Sequence, residues 1–89
     1  MNNFYFSKKA KKEFEKLQKD VQLRIMEKLK FLRTHKYAFQ VLKTIKEMEP
    51  ASHRLRVGNY RLLLEFVNST KERNEFDILK VGHRREIYE

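Results

Sequence analysis

The 89-residue chain has no cysteine and no tryptophan, only one proline and two glycines. Without cysteine there is no disulfide, no thiolate nucleophile and no Cys-ligated metal. Gly58 and Gly82 alone cannot build a glycine-rich phosphate loop. His35, His53 and His83 are scattered without metal-ligand spacing, so no metal or other cofactor is expected. Ser7, Ser52 and Ser69 stand in no nucleophile context, and the acids fall on helix surfaces or loops, which argues against a catalytic carboxylate pair. No unbroken apolar run exceeds three residues, as at Leu62-Leu63-Leu64, far short of the roughly 20 that a membrane helix needs. Phe4-Tyr5-Phe6 leads straight into lysines, the wrong order for a secretory signal. These absences predict a soluble, cytoplasmic domain spanning 1–89, with no membrane partner. Negative charge is scarce as well. Twelve Asp and Glu face twenty-one Lys and Arg, a net +9, which implies a polyanion or an acidic protein as partner.

What is present is periodic. Hydrophobic residues make up 40% of the chain, enough for one small core. Phe4-Tyr5-Phe6 has strand propensity and is closed by Ser7, a helix N-cap residue. Ala10, Phe14 and Leu17 follow at i, i+4 and i+7. Asp20 is expected to open a second helix on the stripe Val21, Ile25, Leu29, Leu32, with only Gln18-Lys19 between the two, a helical hairpin. Residues 1–36 hold eleven basic and four acidic groups; most of those lysines read as solvated helix faces. Residues 36–52 fit neither period and are expected to be a connector with one helical turn or a short strand.

From His53 the pattern alternates. His53–Val57, the turn Gly58-Asn59 and Tyr60–Val67 predict a β-hairpin. Glu75–Val81 is a further strand, broken at Gly82, and Glu86-Ile87-Tyr88 a short terminal one. The predicted fold class is α+β: an N-terminal strand and a helical hairpin packed on one face of a small, mostly antiparallel sheet. A two-residue turn pairs Val57 with Tyr60, Arg56 with Arg61, Leu55 with Leu62 and Arg54 with Leu63, and paired residues share a face. Leu55, Val57, Tyr60, Leu62, Leu64 and Phe66 then meet the helices. Arg54, Arg56, Arg61, Leu63 and Glu65 line the opposite face. Like charges directly opposed cost stability, so this face asks for an anion. His83, Arg84 and Tyr88 would join it from the neighbouring strand, His83 as the side chain suited to move protons near neutrality.

The runs His53-Arg54-Leu55-Arg56-Val57-Gly58-Asn59-Tyr60-Arg61 and Val81-Gly82-His83-Arg84, the latter followed by Tyr88, resemble two segments of the RelE/ParE superfamily of toxin–antitoxin toxins, in its RelE-like branch. The resemblance runs from Phe6 to the end of the chain. It implies a ribosome-dependent mRNA endoribonuclease that needs no metal and uses the ribose 2′-hydroxyl to attack the adjacent phosphate. The implied partners are a cognate acidic antitoxin, the ribosome and mRNA. Carried onto this chain, Arg61 would clamp the phosphate, Arg84 and Tyr88 would complete the catalytic set, and Arg54, Arg56 and His53 would bind RNA. Some relatives have lysine where Arg54 and Arg56 stand. Arginine stays protonated throughout the physiological range and is a poor base, so His83 is the first candidate for proton transfer and His53, in the same strand as Arg54 and Arg56, the second. A gyrase-inhibiting ParE-type toxin without nuclease activity and a non-catalytic nucleic-acid-binding module are the alternatives.

Overall fold

The computed structural model describes residues 1–70 and 72–87. Five strands form one sheet: β1 (Asn2–Phe6), β2 (Lys43–Thr44), β3 (His53–Val57), β4 (Tyr60–Ser69) and β5 (Asn74–His83), in the order β1-β5-β4-β3-β2. β1 runs parallel to β5, and the other three pairings are antiparallel. Three helices precede β3: α1 (Lys8–Glu15), α2 (Lys19–Arg33) and the single turn α3 (Ala38–Val41). This is the α+β arrangement that the sequence implies.

The local causes are legible. Ser7 Oγ accepts from the Ala10 backbone N–H at 3.1 Å and caps α1. Ala10 is fully buried and Phe14 packs on Phe6 with ring centroids 5.0 Å apart. Along α2 the stripe Val21, Ile25, Leu29, Leu32 is buried against Leu55, Val57, Leu62, Leu64, Phe76, Ile78 and Val81 of the sheet. Each such side chain contributes about 1.5–3 kcal/mol of burial. The helix begins at Lys19, after a Gln18 that makes no side-chain cap. Asp20 therefore sits in the first turn, where its charge still meets the positive end of the helix dipole. At the other end Asn2 Nδ2 donates to the carbonyls of Leu32 (2.7 Å) and His35 (3.1 Å), satisfying helix-end acceptors from the first strand.

Three expectations need correction. The connector at 36–52 contains both α3 and β2, not one or the other, and β2 pairs Lys43 with Arg54 and Thr44 with His53. Strand β5 continues through Gly82 to His83, and β4 reaches Ser69. Glu86 and Ile87 form no strand: the chain turns after His83, the Ile87 N–H reaches the His83 carbonyl at 3.1 Å, and Ile87 is fully buried. Ile87 joins Leu63, Ala51, Ile45, Met48 and Leu79 in a second small core on the sheet face opposite the helices. Leu63, expected on an open charged face, is thus covered by its own cluster.

A bulge shapes the strand that ends at the site. Leu63 faces Lys80 and Leu64 faces Ile78, which leaves Leu79 as the extra residue of β5. Ile78 and Val81 both enter the main core while Leu79 enters the second one. The bulge therefore turns Leu79 and Lys80 together away from the helices. Glu13 Oε1, from α1, accepts from the Val81 N–H at 3.0 Å and ties this irregular stretch to the helix layer.

Candidate functional site

The hairpin has the register its sequence predicts, with Val57 opposite Tyr60, Arg56 opposite Arg61, Leu55 opposite Leu62 and Arg54 opposite Leu63. Gly58 has φ +58°, and Asn59 needs no left-handed backbone, the distribution of a turn with glycine at its first central position. On the face away from the helices, two rows of directly paired residues cross the sheet. One reads Lys43, Arg54, Leu63, Lys80; the other reads Arg56, Arg61, Gly82. Five cations thus share this end of the face. Glu65 opposes Asp77 one row further from the hairpin tip, so the face is basic at the tip and acidic at the far end.

Arg61 is held in place. Its Nη1 donates to the Gly58 and Tyr60 carbonyls, both at 2.9 Å. The guanidinium is folded back on the tip, and among the described residues its Nη2 and Nε groups take no further partner. A fork so oriented presents its remaining donors to an anion at little further cost in rotamer entropy. The chain leaving β5 docks on the same tip, where the Arg84 backbone N–H donates to the Asn59 carbonyl at 2.8 Å. Arg56 and Arg84 are exposed, and Arg54 and Arg61 half-buried.

The histidines are divided from this set. His53 lies on the helix-side face, its ring among Phe39, Phe66 and Phe76 at 5.5, 6.4 and 5.8 Å. Burial holds its imidazole below the ordinary value of 6.5. The alternation that aims Arg54 and Arg56 at the cationic face aims His53 the other way, so the structure does not bring it to the arginines. His83 pairs with Tyr60 and stacks edge-on against that ring at 5.5 Å, on the helix side of the sheet but at the strand end where the tip is. Its Nδ1 accepts from the Arg85 N–H at 3.2 Å, which puts the proton of the neutral ring on Nε2. Tyr88 lies outside the described residues. Lys43 and Lys80 are additions that the sequence reading missed. The run Ile78-Leu79-Lys80-Val81 breaks strict alternation and was the available signal for the bulge that exposes Lys80.

A family model described as the ParE toxin of the type II toxin–antitoxin system parDE matches residues 4–88. The chain belongs to this toxin family. The toxin also shares its fold with solved RelE structures. It is similar to a chain of the toxin–antitoxin complex RelBE2 from Mycobacterium tuberculosis, at 24% identity, TM-score 0.71, covering 92% of this chain and 96% of that one. It is likewise similar to a chain of the RelB–RelE antitoxin–toxin complex from Methanococcus jannaschii, at 25% identity, TM-score 0.66, covering 96% and 95%. A third likeness is to the intact E. coli RelBE toxin–antitoxin complex, at 23% identity, TM-score 0.62, covering 91% and 94%. No curated protein sequence matches significantly. Among the described residues no helix is long and apolar enough to cross a membrane.

Proposed function

We propose that this toxin is a ribosome-dependent mRNA endoribonuclease, restrained by a cognate acidic antitoxin. The observation that carries this reading is the pair Arg56–Arg61 beside the row Lys43, Arg54, Lys80, with the Arg61 fork held at the hairpin tip and donors to spare. A scissile phosphate seated there gains charge as the ribose 2′-hydroxyl attacks it, and fixed guanidinium donors stabilise that charge. The 5′-oxygen that departs needs a proton. In this reading the attacking 2′-hydroxyl gives its proton to water, and the departing 5′-oxygen takes one from His83 in its imidazolium form, at the strand end beside Arg84. Solved relatives are complexes of toxin with antitoxin, and a strongly basic toxin suits an acidic segment that folds as it covers the cations.

The second reading is inhibition of DNA gyrase by binding alone. The match to a ParE toxin model favours it, as does the placement of the His83 ring on Tyr60, on the other side of the sheet from Lys80. Purified toxin separates the two. The nuclease reading predicts arrest of a reconstituted translation reaction at toxin concentrations that leave gyrase supercoiling unchanged. Loss of supercoiling with translation intact would replace it with the gyrase reading.

A further inference from the structure

The outer side of α2 carries a pattern the catalytic reading leaves unused. Arg24, Lys28, Phe31 and His35 follow at i, i+4, i+7 and i+11, one stripe of the helix and the turn after it. The stripe faces the hairpin tip across a groove of about 470 Å³ whose lining includes Arg24, Glu27, Lys28, Phe31, Arg56, Val57 and Gly58. Arg24 lies across Gly58: a Cβ built there would come within 2.5 Å of Arg24 Nη2. Glycine at position 58 thus serves the turn and admits the guanidinium. Arg56 lines this groove and also belongs to the cationic rows, so the groove and the candidate site are continuous.

Phe31 is 54% exposed. The Lys28 ammonium stands 5.9 Å from its ring centroid, and the His35 ring is 4.9 Å away, tilted by 55°. Tyr37, also 54% exposed, extends the series, with Lys36 over its ring at 5.8 Å. A lone exposed aromatic is ordinary. An exposed ring set between cations, in a groove with three cations against one acid, has the composition of a platform for single-stranded nucleic acid: phosphates meet the charges and a base meets the ring. A protein segment has a better-matched place elsewhere. On the opposite flank of α2, Leu23, Met26 and Leu29 with Phe4 and Phe6 of β1 form a largely apolar groove.

We propose that the Arg24–Lys28–Phe31 stripe with Arg56 binds a single-stranded stretch of RNA flanking the cleaved phosphate, with one base stacked on Phe31. The inference rests on the reading of this chain as an RNA-acting toxin, and its test requires no cleavage. The probe is a 2′-O-methyl RNA decamer, which lacks the attacking hydroxyl, and binding to the full chain is followed by fluorescence anisotropy. Phe31→Ala is expected to weaken binding about tenfold while leaving an abasic decamer unaffected. Phe31→Tyr restores the affinity. Arg24→Gln weakens both decamers and reduces the salt slope by about one. Circular dichroism checks the fold of each variant. Decamer affinities of Phe31→Ala and Arg24→Gln equal to wild type would overturn the proposal. So would variants that keep RNA affinity but lose binding to a glutamate-rich peptide, which would hand the groove to a protein. Cleavage by wild type with unchanged decamer binding by the variants would sink this inference alone. Absent cleavage with the expected losses would sink the nuclease reading alone.

Discussion

Single residues divide here by which side of one sheet they face. Arg56 and Arg61 oppose each other across the hairpin, an arrangement that costs stability until an anion lies between them. His53 sits one residue before Arg54 and faces the other way, among three phenylalanines. Its depressed pKa has a consequence for stability. The folded chain holds His53 neutral more strongly than the unfolded chain does, so its contribution is complete above the ordinary value of 6.5. That contribution is lost as pH falls through the folded value. Denaturation midpoints measured between about pH 7 and pH 5 should fall with acid, and His53→Phe should flatten the part of the slope that this imidazole causes. An unchanged slope in His53→Phe would show that other groups set the acid response.

At the scale of elements, the bulged strand β5 decides what the site contains. Glu13 accepts from the Val81 N–H beside the bulge. Glu13→Ala leaves a donor without its acceptor in a part-buried stretch and should destabilise the toxin by about 1 kcal/mol. Urea unfolding with an unchanged slope and a lower midpoint would record it, and a wild-type midpoint would show that water replaces the carboxylate without loss. The hairpin was readable because alternation and Gly58-Asn59 fix its register locally. The face given to Arg54, Arg56 and Arg61 follows from that register. Lys80 was hidden because a one-residue bulge moves it to the other face, and Lys43 because a two-residue strand has no period of its own. Leu63 and Ile87 were unreadable as a second core, since their partners Ala51, Ile45 and Met48 come from a connector whose path is set by tertiary contacts.

For the whole molecule, charge sets how it finds its target. The net +9 attracts polyanions from any direction, while the two rows at the hairpin tip concentrate cations at one end of one face. Three to five phosphates neutralised there give a log–log salt slope of about −2 to −3.5 for single-stranded RNA. Binding that barely responds to salt would deny the rows an electrostatic role. The acidic end of the same face, Glu65 with Asp77, disfavours a phosphate chain there and, on the proposed RNA reading, leaves the tip and the α2 groove as its path. One strand could then cover the candidate site and the Phe31 platform together.

The most direct test of the central claim is the mapping of mRNA 3′ ends in a purified translation reaction with ribosomes stalled on a defined codon, comparing wild type with Arg61→Ala and Arg61→Lys. The account predicts cuts within the A-site codon that require the ribosome. It also predicts a rate loss of roughly 10²–10³-fold in Arg61→Ala, and only partial recovery in Arg61→Lys, which keeps the charge but not the fork. Cleavage by folded Arg61→Ala at the wild-type rate would remove the clamped guanidinium from the chemistry and contradict the account.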